Sequence, residues 1–151
     1  MDIRVLGPAD HAVLTNVAPD VFDDPLQPGA VDEFLRDPRH HLVVGIDAAR
    51  VVGFVSAVHY VHPDKHSPEL WINEVGVSAA HQGKGVGKAM LKKMLDHGRA
   101  IGCVEAWVLT NRSNRAAMRL YESSGGINPA HDEAMFNFSL RTLRDDSQRF
   151  V

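Results

Sequence analysis

A glycine-rich loop joins an extended apolar run to an amphipathic run, and this junction restricts the fold more than any other part of the chain. The apolar run ends at Val77, and a helical pattern begins near Lys88. Between them lie Gln82, Gly83, Lys84, Gly85, Val86 and Gly87. Glycines let the backbone turn so that consecutive N–H groups point to one place, where the next helix also directs its free N–H groups and positive dipole end. The pattern predicts a strand, a phosphate-binding turn and a helix.

Spacing excludes two other kinds of phosphate-binding loop. A mononucleotide P-loop needs glycine at position 82 and a hydroxyl residue at position 89, but the chain has Gln82 and Ala89. A dinucleotide-binding loop needs its third glycine at position 88, which is a lysine. The remaining pattern, Gln/Arg-x-x-Gly-x-Gly/Ala after a strand, resembles the acyl-CoA pyrophosphate loop of the GNAT superfamily of N-acetyltransferases. We call residues 82–88 the phosphate cradle.

A second stretch, residues 111–125, resembles another motif of the same superfamily. That motif is Asn-x-x-Ala-x-x-Leu-Tyr with a helix-ending glycine, and here it is carried by Asn114, Ala117, Leu120, Tyr121 and Gly125. The residues also favour a helix, because asparagine is a good N-cap and glycine suits the left-handed position after a helix. The two motifs stand in the order that the superfamily has and together cover residues 70–126.

The order of the elements agrees with the resemblance, which implies an α/β GNAT fold: a mixed, mostly antiparallel central sheet with a splayed strand pair, flanked by about four helices. The sequence predicts strands over 3–6, 42–46, 51–60, 69–77, 104–110 and 135–140, and helices over 8–17, up to 35, over 84–101 and from 114. A strand, helix, strand order over 77–110 predicts a parallel pairing. We predict one acetyltransferase domain over residues 1–140 and a polar C-terminal tail over 141–151.

The resemblance implies direct attack of a primary amine on the thioester of acetyl-CoA, without an acyl-enzyme and without a metal. It gives Glu74 the role of base, with Glu69 in reserve, and Tyr121 that of proton donor to the departing thiolate. The Val77 N–H is expected to polarise the thioester carbonyl. The predicted donor-binding residues are Val75, Val77, Gln82, Gly83, Lys84, Gly85, Val86, Gly87, Lys88, Asn114, Ala117 and Tyr121.

Charge divides between the two halves of the chain. Residues 1–80 contain 12 acidic and 5 basic residues, a net charge of −7, whereas residues 81–151 contain 7 and 11, a net charge of +4. A basic half around the cradle suits the polyanion coenzyme A, and an acidic half suits a cationic acceptor. We predict that Asp23, Asp24, Glu69 and Glu74 bind this acceptor. With a pI of about 6.3 and no aromatic residues among its basic ones, the chain is not expected to bind nucleic acid.

The small aminoglycoside 3-N-acetyltransferases are the members that the stretch over residues 51–77 resembles most. They carry two adjacent aspartates where Asn114 and Arg115 stand here. The resemblance implies a small cationic amine, such as an aminoglycoside antibiotic, as acceptor. Acetylation of a protein N-terminus or a lysine is the alternative among enzymes, and a non-catalytic CoA-binding module is the alternative from another class.

Several other functions are not expected from the sequence. The longest apolar run, Val51 to Val58, is far shorter than the roughly 18 residues of a membrane span, so we predict a cytoplasmic protein without membrane contact. The lone Cys103 begins an apolar run and is expected to be a buried thiol. His59, His62 and His66 lie in a proline-interrupted segment, which does not favour a metal site. The chain is a candidate homodimer.

Overall fold

The computed structural model describes residues 1–129 and 134–140. Five strands, three α-helices and two short 3-10 helices are assigned within them. The strands are β1 (Asp2–Leu6), β2 (His40–Asp47), β3 (Arg50–Tyr60), β4 (Glu69–Val77) and β5 (Glu105–Val108). The α-helices are α1 (Pro28–Arg36), α2 (Val86–Ala100) and α3 (Arg115–Ser123), and the 3-10 helices span His11–Thr15 and Ala79–His81. The mixed sheet agrees with the predicted α/β class.

The five strands form one sheet in chain order, β1-β2-β3-β4-β5. The first four pair antiparallel, and β4 pairs parallel with β5. A two-residue turn at Ala48 and Ala49, both with positive φ, joins β2 to β3. The parallel pairing follows from the crossover through α2, as predicted.

Two strands separate where the cradle begins. The pairing of β4 with β5 covers only Glu69 to Ile72 opposite Glu105 to Val108, whereas β4 continues to Val77 beside β3. The last five residues of β4 therefore have no β5 partner. This is the splayed strand pair that the resemblance implied.

The two faces of the sheet are covered differently. On the face that we call the helix face, α2 buries Met90 and Met94 completely, and it approaches so closely that a Cβ at Gly53 would lie 2.8 Å from Met90 Cε. On the opposite face, which we call the open face, α1 and the N-terminal segment pack around Phe54. This cover is incomplete, because Trp71 on β4 is 39% exposed.

Three predictions differ from the structure. The helix predicted over 8–17 is a 3-10 helix over His11–Thr15, because the Asp10 carboxylate bonds back to the Gly7 N–H, 2.7 Å away, instead of capping a helix. Three α-helices were found among the described residues, where about four were predicted. The strand predicted over 135–140 was wrong: alternating apolar residues alone do not supply a pairing edge, and Phe136 and Phe138 are 78% and 83% exposed. Residues 141–151, the predicted tail, lie outside the described residues.

Candidate active site at the splayed strands

The phosphate cradle is a turn followed by the N-terminus of α2. Gly83 and Gly85 have φ of +71° and +81°, which only glycine adopts without strain, and a Cβ on either would meet nothing within 4 Å. Gly85 is the N-cap of the 15-residue α2, whose first intrahelical bond runs from the Ala89 N–H to the Gly85 carbonyl at 3.0 Å. The N–H groups before Ala89 are thus free of helical bonds. The cradle presents backbone donors on an unobstructed side.

The side chains of the cradle divide between core and solvent. Val86 is 5% exposed and packs with α2 in the core, so its backbone alone faces the cradle. Lys84 and Lys88 are exposed. Lys84 borders a pocket of about 250 Å³ between the cradle and the β2–β3 turn, where His81 lies 3.1 Å from the Asp47 carboxylate. Free N–H groups, a helix dipole and exposed lysines fit the pyrophosphate of coenzyme A.

Two side chains hold the segment that links the end of β4 to the cradle. The Gln82 amide donates to the Val77 carbonyl at 3.0 Å. Asp20, from the N-terminal segment, accepts from the Ala79 N–H at 2.8 Å and from the Ser78 hydroxyl at 3.2 Å. These bonds lower the pKa of Asp20. Sequence reasoning missed Asp20, because its partners lie almost sixty residues away.

The backbone of Val75 and Val77 points into the gap between the splayed strands. The Ser78 N–H bonds the Val52 carbonyl at 2.8 Å, and the register opposes Gly53 to Val77 and Val55 to Val75. Since antiparallel pairs alternate between bonded and non-bonded, the backbone groups of Val75 and Val77 face away from β3. Pairing with β5 ends at Ile72. Apart from the Val77 carbonyl, which accepts from Gln82, the predicted thioester-binding backbone is therefore directed away from β3, beside the cradle.

Glu74 lies on the open face because of a β-bulge. The register changes from Ala57 opposite Ile72 to Ser56 opposite Glu74, so Asn73 is the extra residue. The bulge reverses the alternation: Ile72 points into the helix-face core, while Glu74 shares the open face with Phe54. Although the residue as a whole is exposed, partial burial of its carboxyl group raises the pKa of Glu74, and the negative charge of Asp23 raises it further.

The structure brings Asp23 and Asp24 to the same side of the sheet. Both are exposed and line a pocket of about 390 Å³ in the N-terminal segment, together with apolar residues such as Leu14 and Phe22. Phe22 stacks on Phe54 of β3, with ring centroids 4.1 Å apart, which fixes this segment on the sheet. The charge of Asp23 acts on Glu74, and both residues lie on the open face of the sheet.

Tyr121 approaches the site from α3. Asn114 caps this helix, with its side-chain oxygen 3.0 Å from the Ala117 N–H, so these two predicted donor-binding residues hold the start of the helix. Leu120 comes close to the cradle, because a Cβ at Gly87 would lie 3.6 Å from it. Tyr121 is partly buried against the helix-face core, and burial raises the pKa of its hydroxyl. The group stays protonated at neutral pH.

Both carboxylate oxygens of Glu69 are bonded to neighbouring side chains. Its carboxylate accepts from the Tyr60 hydroxyl at 2.8 Å and forms an ion pair with Lys65, and it is 8% exposed. These bonds lower the pKa of Glu69. A carboxylate with both oxygens engaged is a poor base and a poor anchor for an acceptor, so the structure favours a positioning role for Glu69.

Three histidines form a hydrogen-bonded chain on the helix face. His41 bonds His59 at 2.8 Å and His97 at 2.9 Å. Burial, followed by the charges of its histidine neighbours, lowers the pKa of His41 to about 4. Within residues 1–129 and 134–140, no three His, Cys, Asp or Glu side chains are placed to hold a metal ion. The free Cys103 is buried, and no helix in this part of the chain is long and apolar enough to cross a bilayer.

Comparison with known protein families identifies the family to which this fold belongs. Residues 12–126 match the Acetyltransferase (GNAT) family, and the chain belongs to that family. The chain is 34% identical over 107 residues to the N-alpha-acetyltransferase RimI of Mycobacterium tuberculosis, an alignment that covers 70% of this chain and 63% of RimI. It is 38% identical over 77 residues to the mycothiol acetyltransferase of Streptosporangium roseum, over 50% of this chain and 23% of that enzyme. These alignments span less than two thirds of each relative.

Solved structures share the fold at low identity. An aminoglycoside acetyltransferase from an uncultured soil metagenomic sample, in complex with sisomicin, superposes with a TM-score of 0.71 at 17% identity, over 93% of this chain and 95% of that chain. A ribosomal-protein-alanine N-acetyltransferase from Brucella melitensis gives 0.70 at 18% identity, over 91% and 100%. The predicted GNAT fold is thereby confirmed.

Proposed function

We propose that this chain transfers the acetyl group of acetyl-CoA to a primary amine of a small cationic acceptor by direct attack. One observation carries the proposal: the bulge in β4 places Glu74, whose pKa is raised, beside the gap into which the Val77 backbone points. A base, backbone donors and a phosphate cradle thus meet at one end of the sheet. Family membership supports acetyl-CoA as the donor.

The cradle and β4 hold the donor in this proposal. Acetyl-CoA supplies the acetyl group as an activated thioester. The free N–H groups at the start of α2 bind its pyrophosphate, and the outward backbone of Val75 and Val77 orients the thioester arm. The Gln82 amide occupies the Val77 carbonyl, and in this proposal the Val77 N–H faces the reacting carbonyl oxygen.

Glu74 and Tyr121 move the two protons. As the amine nitrogen bonds to the acetyl carbon, Glu74 accepts the proton that the nitrogen releases. As the carbon–sulfur bond breaks, the Tyr121 hydroxyl donates a proton to the sulfur. A raised pKa suits both groups: it makes Glu74 a stronger base than an ordinary carboxylate and keeps Tyr121 protonated.

The acidic cleft supports a cationic acceptor. Asp23 and Asp24 line a pocket in the N-terminal segment, and the charge of Asp23 acts on Glu74. No positive charge of the chain pairs with Glu74 among the described salt bridges. An ammonium entering this cleft is attracted by several carboxylates. Aminoglycosides are the leading candidates within this class. Glu69, engaged with Lys65, contributes to the shape of the cleft more than to binding.

Acetylation of a protein N-terminus is a second candidate. The relative that favours it is RimI, whose name gives it an N-alpha-acetyltransferase activity and which is 34% identical over 107 residues. A peptide acceptor would also place its amine at Glu74. The two candidates differ in what lies beyond the amine, a compact polycation or an extended backbone.

Thiol release from acetyl-CoA with different amines tests the proposal. Gentamicin-like aminoglycosides, spermidine and N-terminal peptides are compared at equal concentration and at two salt concentrations. We expect turnover with the polycations, weakening as salt rises through the range where the screening length falls to about 8 Å. Turnover with peptides alone, without salt dependence, would establish the second candidate. Binding of acetyl-CoA with no turnover by any amine would indicate a non-catalytic module.

A further inference from the structure

The open face carries an aromatic pair that the proposed reaction does not use. Trp71 of β4 and Trp107 of β5 are register partners, and their rings stack with centroids 5.1 Å apart and planes 6° from parallel. We call this pair the tryptophan shelf. Trp71 is 39% exposed, and a large apolar side chain exposed to this extent often marks a binding surface.

Polar bonds fix the shelf in place. The Trp107 indole N–H donates to the Tyr60 hydroxyl at 2.6 Å, and Tyr60 donates to Glu69 at 2.8 Å. Glu69 is in turn paired with Lys65. These bonds orient the Trp107 ring, on which the exposed Trp71 stacks, so the pair is preorganised for contact with a ligand.

The shelf and Glu74 belong to one surface. Trp71 lies opposite Val58 and Glu74 lies opposite Ser56, all on the open face. Val58 and Ser56 are short side chains and only half-buried, so they form a low floor beside the Trp71 ring. The partners Val58 and Ser56 are two residues apart on β3, so with the bulge Trp71 and Glu74 lie about 7 Å apart along the strand. An acceptor with its amine at Glu74 extends over the floor to the shelf.

Charge decides which group the shelf receives. The Glu74 side chain lies on this surface and the charge of Asp23 acts on it, while the nearby Lys65 is already paired with Glu69. The π-face of tryptophan attracts cations more strongly than the other aromatic rings do. We propose that the tryptophan shelf binds a second cationic group of the acceptor while Glu74 receives the amine to be acetylated. This inference rests on the proposed function. It adds that the acceptor carries a second cationic group at a set distance from the amine that is acetylated.

Intrinsic fluorescence tests the shelf without turnover. Trp71 and Trp107 are the only tryptophans of the chain, so all tryptophan emission comes from the shelf. Spermidine, a linear triamine, is titrated against octylamine, which has similar length but a single amine. We expect saturable quenching or a spectral shift with spermidine at a concentration about tenfold lower than with octylamine, and loss of that difference in Trp71→Leu.

Kinetics with the same two amines separate the shelf from the reaction. In Trp71→Leu we expect the ratio of kcat/KM for spermidine over octylamine to fall about tenfold, with Trp71→Phe between this variant and the wild type. Equal effects on both amines would show an apolar subsite and overturn the cationic one. Turnover of spermidine with unchanged emission and unchanged ratio would overturn the shelf but leave the acetyl transfer standing. If no amine turns over, the emission titration still decides whether the shelf binds cations.

Discussion

The two faces of the central sheet differ in which groups they present: backbone groups of the cradle on the helix face and side chains on the open face. On the helix face, Met90 and Met94 are completely buried, and α2 begins in the backbone of the cradle. On the open face, side chains face solvent: Trp71, Glu74 and Asp23 project from two segments that are far apart in sequence. The donor is thus expected to be held mainly by backbone and the acceptor mainly by side chains. Backbone recognition depends on the positive φ of Gly83 and Gly85, whereas side-chain recognition depends on the chemical identity of Trp71, Glu74 and Asp23.

A charge in the cradle gives the largest expected effect. Gly85→Asp places a carboxylate where the pyrophosphate is expected, and like charges in contact cost several kcal/mol, so affinity for acetyl-CoA should fall about 10³-fold. Calorimetric titration measures this. Gly102→Asp is the matched control, since Gly102 has a similar φ of +93° and open space around its Cβ, but follows the other end of α2. Equal losses in the two variants would attribute the effect to backbone strain.

Loss of the Tyr121 hydroxyl should lower turnover by about 10²-fold, the usual effect of removing a general acid. Tyr121→Phe keeps the ring that packs against the helix-face core, so acetyl-CoA affinity should change little. Steady-state kinetics over a range of pH, with binding measured separately, provide the test. Identical turnover across pH would make Tyr121 a packing residue only.

The pH dependence of folding tests the helix face separately, because the three bonded histidines lie there. His41 has a pKa of about 4, against an ordinary value near 6.5, so protonation favours the unfolded state. The stability this confers is complete above about pH 6.5 and is lost as pH falls toward 4. Between pH 7 and pH 5, wild type should lose about 2 kcal/mol more than His41→Leu. His40, His59 and His97 are the charged neighbours that contribute to this shift.

Urea unfolding at several pH values measures that difference. His66→Leu is the control. His66 lies on an exposed loop, so this substitution also removes a histidine but leaves the three bonded histidines intact. Parallel stability curves for wild type and His41→Leu would contradict the assignment of pH sensitivity to His41. Donor binding at neutral pH should be similar in both proteins.

Asp23 provides the smallest and most specific test, on the open face. Its charge raises the pKa of Glu74, so Asp23→Asn should lower that pKa and move the acidic limb of the kcat/KM profile to lower pH. The acceptor KM should rise by about two- to fivefold, as expected for a partly exposed charge. Asp24→Asn is the matched neighbour, expected to raise KM with less movement of the limb. A limb that stays in place in Asp23→Asn would remove Glu74 as the titrating base.

The sequence alone determined the elements whose signals are local. Turn glycines at 83 and 85, the Asn114 cap and the helical period of α2 each restrict the backbone within a few residues, so cradle, helix and the parallel crossover were predictable. Asp23, Glu74 and Tyr121 were named from motif and charge. The structure puts Asp23 and Glu74 on the open face and packs Tyr121 against the helix-face core. Their catalytic and binding roles stay predictions.

Only the tertiary structure decided how the open face is arranged. The bulge at Asn73, the bonding of Asp20 to Ala79, the stack of Trp71 on Trp107 and the bonding of Glu69 to Tyr60 all depend on partners set by register or on distant segments. The alternating pattern over 135–140 failed as a strand prediction for the same reason. Periodicity specifies which side of a segment is apolar, but pairing between segments specifies which edge or side chain it meets.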